Sequence, residues 1–389
     1  MNRSSFSKGF SSGRRADAAR QRWPFVDSGS PHPRDKQPSL TAELPRRTAD
    51  FDYHLPPELI AQEPLPDREA SQLLVVERSA QGSERGKLTD SCFRQLPDLI
   101  PPGDLLVVNT TKVRHARLVG TRPSGRPAEV LLIHPAADDT WVAMGKPGSA
   151  LRPGKRVDLA PDVWIEIEHV LPNGHRLVRI HGATSADAIA RFGRVPLPPH
   201  ITREPTVADA TRYQTVYAKQ EGSVAAPTAG LHFTTSVLDH LKQRNIGLVG
   251  IDLEVGPGTF KPVEQEFVAD HHMHPEQFDI SPAAAAEITE TRRRGGKVWA
   301  VGTTVVRALE SAATTGGLEA GRHETRLLIT PGYRFTTVDR LLTNFHLPRS
   351  TLMMLVSAFA GYALTMEAYR HAIAHRYRFY SYGDAMVVI

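Results

Sequence analysis

Between about His115 and Gly182 no run of apolar residues recurs at helical spacing. Six short segments there are instead built from apolar and β-branched residues: 116–121, 128–134, 140–144, 156–159, 163–170 and 175–180. Turn clusters separate them, among them Pro123-Ser124-Gly125, Asp138-Asp139, Pro153-Gly154 and Pro172-Asn173-Gly174. Strands of this length, so closely spaced, bury their apolar faces by folding on one another as a small sandwich or barrel. We expect a small antiparallel six-stranded β-barrel at 115–182.

The texture on either side is different. Strand patterns at 73–76, 104–108, 248–255, 298–301 and 325–329 alternate with helical ones. Helices are expected at 185–192, 304–313, 352–360 and 366–375. A further helix opens at Ser281-Pro282, a cap followed by proline at the first helical position, and closes at Gly295-Gly296. Such alternation implies an α/β domain with a largely parallel sheet. The expected organisation is therefore an α/β catalytic domain from 51–114 and 183–389, carrying the barrel as an insertion. Residues 1–50, rich in Arg and Ser and without an apolar h-region, are expected to be a disordered N-terminal extension.

Charge and cysteine usage narrow the function. The formal net charge is +5, and the first 50 residues, with ten Lys/Arg against five Asp/Glu, account for all of it. The bulk charge is thus no argument for nucleic-acid binding; only local patches are. Cys92 is the single cysteine, which rules out an intrachain disulfide and fits a reducing compartment. The longest apolar stretch, Leu352 to Leu364, is too short to span a bilayer. We expect no membrane partner, a cytoplasmic location and a monomer.

Three strand ends run into small or polar residues. They are Gly256-Pro257-Gly258-Thr259, Gly302-Thr303-Thr304 and Thr343-Asn344-Phe345-His346. Ligands of open α/β sheets bind beyond the carboxyl ends of the strands. The second of these turns opens a helix, whose free N–H groups suit a carboxylate or phosphate. None matches a Walker loop or the dinucleotide fingerprint. The stretch Ala225-Ala226-Pro227-Thr228-Ala229-Gly230-Leu231-His232-Phe233 is mostly small residues, which let backbone approach a ligand closely. Asp270-His271-His272-Met273-His274-Pro275-Glu276 resembles a metal cluster but lacks the i, i+4 histidine pair of a helical site. No metal is expected there; His274 and Glu276 suit proton transfer or hydrogen bonding better. Two readings stand for the C-terminal run Tyr369, Arg370, His375, Arg376, Tyr377, Arg378, Phe379, Tyr380, Tyr382. It could present bases and aromatics to RNA, or pack its rings in the core beneath Arg stems.

Together these stretches resemble the S-adenosylmethionine:tRNA ribosyltransferase-isomerase family of queuosine biosynthesis. The resemblance is carried by FDYHLPPELIAQEPLPDR (51–68), GDLLVVNTTKVRHARLVG (103–120), AAPTAGLHF (225–233), VGPGTFKPV (255–263), DHHMHPEQF (270–278), AVGTTVVRALESAA (300–313), TNFHLPRSTLMMLVSAFAG (343–361) and YRFYSYGDAM (377–386). Three positions depart from the family pattern: Glu254 where a His is usual, Thr110 for Asn or Asp, and His200 for Tyr.

The resemblance implies a tRNA partner bearing 7-aminomethyl-7-deazaguanine at the wobble position. It implies S-adenosylmethionine as a co-substrate, with no separate cofactor. The ribosyl part is transferred and isomerised, giving epoxyqueuosine-tRNA, adenine and methionine. On that reading His232 or His274 handles protons, with Glu276 as orienter or acid. Thr303, Thr304 and Arg307 hold the methionine carboxylate. Asn344 and His346 line the crevice with Thr228, Gly230, Gly256, Gly258, Thr259 and Gly302.

Overall fold

The structure, a computed structural model, describes residues 45–79, 86–256 and 263–389. The expected extension at 1–50 lies, up to residue 44, outside the described residues; Thr48–Phe51 forms a 3₁₀ turn. The principal strands are β1 Gln72–Glu77, β2 Lys87–Cys92, β3 Leu105–Asn109, β4 Arg117–Thr121, β5 Pro127–Pro135, β6 Thr140–Lys146, β7 Arg156–Ala160, β8 Val163–Val170, β9 Arg176–His181, β10 Gly247–Glu254, β11 Glu276–Ile280, β12 Val298–Val301, β13 Gly321–Thr325, β14 Arg340–Asn344 and β15 Ala385–Val388. The principal helices are α1 Ser185–Phe192, α2 Thr235–Gln243, α3 Pro282–Arg293, α4 Thr303–Ser311, α5 Thr351–Ala360 and α6 Tyr362–Ala374.

Strands β4 to β9 form the expected barrel. They pair antiparallel in the order β4-β5-β6-β9-β8-β7, and Thr121 opposite Asp158 closes the ring. Side chains alternate as the pleat requires: Val163, Ile165 and Ile167 of β8 are buried, while Trp164, Glu166 and Glu168 are only partly covered. The buried set packs with Leu118, Val130, Leu132, Val157 and Val178 into a core of its own.

The second sheet runs β13-β11-β10-β3-β12-β14-β15-β1-β2. Its centre, β10 through β14, is parallel, as the alternation of strands and helices implied. Consecutive apolar residues go to opposite faces. Leu74, Val107, Ala300 and Leu341 pack with Ile288, Val305 and Met353 of the helices on one side. Leu73, Leu106, Trp299 and Leu342 pack with Val237 and Leu241 of α2 on the other. A strand covered on both faces reads as a continuous apolar run, which is why these were visible in the sequence.

Both flanks add antiparallel pairings, so the whole sheet is mixed. The strand expected at 325–329 lies earlier, at Gly321–Thr325, and residues 326–330 have no regular structure. Its sequence, GRHET, shows no apolar run because an outermost strand needs only one ladder and little burial.

Helix α3 begins and ends as its caps dictate: Ser281 Oγ accepts from the Ala284 N–H, and Gly295 takes φ +87° beyond the last turn. Helix α5 is apolar on all sides and buried, with Met353, Met354 and Val356 at 0% exposure. Among the described residues no single helix is long and apolar enough to cross a membrane.

Candidate active site

Strands β10, β12 and β14 all end on the same rim of the sheet. Beyond them lies a cleft of ≈ 600 Å³. Val255 lines it after β10, Gly302, Thr303 and Thr304 after β12, and Thr343 to Leu347 around the end of β14. The small-residue stretch contributes Ala226 to Ala229, Thr228 included. His200, Leu352, Tyr380 and Ser381 complete the wall. No Asp, Glu, Lys or Arg lines the cleft among the described residues.

Each segment is held firmly. Gly302 sits at φ +99°, a conformation that strains any side chain, and its N–H donates to Leu342 O at 2.8 Å. That turn starts α4 at Thr303 and points the positive end of the helix at the cleft. After β14, the Phe345 ring packs against Tyr369, Tyr377 and Phe379 at 5.0–5.6 Å between centroids. The His346 N–H donates to the Tyr369 hydroxyl at 2.9 Å, and its carbonyl accepts from Tyr53. The His346 ring bonds Thr343 Oγ1 through Nε2 at 2.7 Å.

His232 lies one layer behind. It ends the 3₁₀ turn Thr228–His232 and lines a smaller cavity, ≈ 280 Å³, with Ser71, Arg68 and Arg378. Ser381 lines both spaces. The Ser71 hydroxyl donates to Arg68 O at 2.7 Å. With that proton on Arg68 O, Ser71 Oγ accepts from His232 Nδ1, 2.7 Å away. The Nε2 lone pair is then free, and it is buried with no donor. Asn344 stands next to it and lines the main cleft; its Nδ2 donates to Tyr380 O at 2.9 Å, while its Oδ1 is also buried without a donor. A single proton placed on His232 Nε2 would serve both orphan acceptors.

Burial sets the charge states. It pushes His232 down to about 4, with Asn344 acting in the opposite sense and the Arg378 and Arg68 charges adding to the fall. Burial alone takes His200 to about 4 and His346 to about 3. All three imidazoles are neutral at physiological pH, so the described wall of the cleft presents hydrogen-bonding groups without formal charge.

The other expected site residues are placed differently. Glu276 and Arg307 form a buried ion pair, 2.8 Å, and do not line the cleft; Arg307 Nε also donates to Leu327 O at 3.0 Å. Arg307 thereby ties α4 to β11, and its Nη2 is buried without a partner among the described residues. His274 is exposed on the segment before β11 and does not line the cleft. Gly230 is a packing glycine: a Cβ there would meet Tyr217 Oη at 2.2 Å. Gly256 adjoins the lining residue Val255, whereas Gly258 and Thr259 lie outside the described residues. Glu254 is half exposed and pairs with Arg322 at 3.3 Å, away from the cleft.

Sequence reasoning passed over His200, Tyr380, Ser381 and Ser71 as site residues. The signal for His200 was the preceding Pro196-Leu197-Pro198-Pro199, a stiff loop that delivers the next residue to a fixed place. In the C-terminal run the rings of Tyr369, Tyr377, Phe379, Tyr380 and Tyr382 are buried, while Arg370 and Arg376 are exposed.

Comparison with known proteins identifies the family. The model of the queuosine biosynthesis protein family matches residues 48–388. An S-adenosylmethionine:tRNA ribosyltransferase-isomerase of Thiobacillus denitrificans is 51% identical, over 87% of this chain and 96% of its own length. One from Symbiobacterium thermophilum is 47% identical, over 88% of this chain and 100% of its own. The crystal structure of an S-adenosylmethionine tRNA ribosyltransferase from Thermotoga maritima aligns with a TM-score of 0.50 at 34% identity, covering 87% of this chain and 100% of that one. A match running through both sheets and every described wall of the cleft places the chain in the queuosine biosynthesis protein family of S-adenosylmethionine:tRNA ribosyltransferase-isomerases.

Proposed function

We propose that the cleft beyond β10, β12 and β14 binds S-adenosylmethionine and transfers its ribosyl part to 7-aminomethyl-7-deazaguanine of a tRNA. The observation that carries this is the convergence of Thr228, Gly302 to Thr304 and Asn344 to His346, from three distant stretches, on one cavity whose described wall is uncharged. The free N–H groups and hydroxyls at the start of α4 suit the methionine carboxylate. The neutral walls tolerate a sulfonium without repelling it.

The chemistry then needs proton handling in a dry site. The sulfonium acidifies the adjacent ribose carbon. A base takes that proton, adenine leaves, the aminomethyl nitrogen attacks, and closure to the epoxide expels methionine. These steps balance without an oxidant. His232 is the group best placed as the base, in concert with Asn344, because its Nδ1 is occupied by Ser71 and its Nε2 is open. Glu276 and Arg307 act as positioning residues that fix α4.

The working unit is the α/β part, 51–114 with 183–389, and the barrel at 115–182 is an insertion that contributes no cleft wall. We take the enzyme, as one acting on tRNA, to work in the cytoplasm as a monomer without a membrane partner.

The test is incubation with the aminomethyl-deazaguanine tRNA and S-adenosylmethionine labelled in the ribose or in the methyl group. Ribose label should enter RNA and methyl label should not. Methyl label appearing in RNA would overturn the reading.

A further inference from the structure

On the far margin of the sheet, away from the cleft, two histidines stand one helical turn apart near the end of α6. His371 and His375 stack at 3.9 Å between ring centroids. Histidines at i and i+4 present their ring nitrogens to one point beside the helix. Asp90 of the outermost strand β2 meets them there. One ligand atom from each of Asp90, His371 and His375 lies within 4.8 Å of the other two. Donors around a tetrahedral zinc ion are roughly 3.3 Å apart, given bonds of about 2.0–2.1 Å. His375, at the exposed end of the helix, is the side chain with room to move toward the other two.

The surroundings already orient the three groups as ligands need. His375 Nδ1 donates to the His371 carbonyl at 2.9 Å, so its outer nitrogen carries the lone pair. The Tyr377 hydroxyl donates to Asp90 Oδ1 at 2.6 Å, and His371 Nε2 donates to the same oxygen at 2.9 Å. The second carboxylate oxygen is left for another partner. Tyr377 is fully buried, so it is a fixed support.

We propose that Asp90, His371 and His375 form a site for a divalent transition-metal ion of the zinc class, with solvent completing its coordination. The ion would take the place of the proton that His371 Nε2 now shares with Asp90. It would tie the outermost strand β2 to α6. Helix α6 supplies Tyr369, which holds His346, so the ion would brace one wall of the cleft from behind without taking part in the reaction. The helical i, i+4 spacing was present in the sequence, but only His375 was read there, as part of a basic and aromatic run. Only the fold brings Asp90 to them.

The full-length chain, stripped with a chelator and dialysed, is titrated with Zn²⁺ by calorimetry and with Co²⁺ by visible absorption. One equivalent should bind, with the intense d–d bands of a low-coordinate nitrogen and oxygen site. His375→Ala and Asp90→Asn should each weaken that equivalent at least tenfold with an unchanged circular-dichroism spectrum. Tyr377→Phe should weaken it by about tenfold through the lost support. Zn²⁺ should raise the melting temperature of the parent chain and not of His375→Ala. His272→Ala, in the exposed histidine stretch, serves as control. The proposal is overturned by any one of three results: no saturable equivalent in the parent chain, an equivalent unaffected by His375→Ala, or one lost in His272→Ala instead.

Discussion

The barrel and the nine-stranded sheet solve the same problem in opposite ways. The barrel is built from neighbours in sequence: most of its pairings join strands separated by one turn, and closure needs a single contact between β4 and β7. Its core is private, and none of its residues lines the described cleft. The sheet gathers strands from residue 72 to residue 388, and its functional groups sit where those distant pieces end together. Local assembly gives a stable shell; assembly at a distance gives a cleft whose walls can be varied one segment at a time.

That contrast can be broken most sharply at His232. His232→Ala should lower adenine release about 100- to 10,000-fold, the usual range for losing a general base, at a temperature where the variant is folded. His274→Ala should leave the rate nearly intact. Equal losses in both variants would sink the assignment to His232. Next comes the pair under α4. Glu276→Ala leaves the Arg307 charge buried and opposite a neutral residue, and should cost about 3–5 kcal/mol in urea denaturation. A loss below about 1 kcal/mol would mean the pair is better solvated than its burial implies.

The barrel should respond the other way. Ile165→Ala removes a fully buried side chain and should cost about 2–5 kcal/mol. At a temperature where the variant is folded, ribosyl transfer should be unaffected. A large fall in turnover there would show that the barrel does shape the cleft.

Acid should weaken the sheet before the barrel. His232 and His200 titrate near 4 when folded, against about 6.5 unfolded, so the unfolded chain binds the protons first. Stability is then full above about 6.5 and falls as pH drops toward 4, by at most about 1.4 kcal/mol per unit for each histidine. Below that, Asp209 joins. Burial alone would raise it, but Arg203, Thr206 and Tyr382 together hold it well under 3.8, so its contribution is lost as pH falls beneath that value. A denaturation midpoint flat from pH 7 to 4 would contradict the histidine contribution, and one flat below 3.8 that of Asp209. The smallest effect lies at the seam. Thr184 caps α1 by accepting from the Asp187 N–H at 3.1 Å, and Thr184→Ala should cost about 1 kcal/mol.

The barrel was the most legible part of the chain, because alternation at period two and Gly-Pro turns are local signals. All six strand positions agree with those expected to within one or two residues at each end. The central parallel strands were legible for a related reason: burial on both faces leaves apolar runs such as Leu105 to Val108. The margins were not. Lys87–Cys92 and Gly321–Thr325 are polar strands whose place is set by a neighbour's backbone rather than by their own side chains. The site was half legible. Small residues after strands marked Gly302 to Thr304 and Asn344 to His346, since only a ligand or a tight turn calls for them. Ser71 carried no signal, because its task is to occupy one nitrogen of a histidine 161 positions away. Arg307 and Glu276 are different again: their sequence positions gave no sign that they meet as a buried ion pair outside the cleft lining.

The absence of charged side chains from the described cleft wall has a consequence for inhibition. With no carboxylate facing the sulfur, Coulomb attraction adds little to the binding of a positive sulfonium over an uncharged thioether of the same shape. The demethylated analogue of the donor should compete almost as well as the donor itself, and its grip should barely change with ionic strength. Discrimination between the two would then be exercised by reactivity alone, since only the cation can give up its ribose.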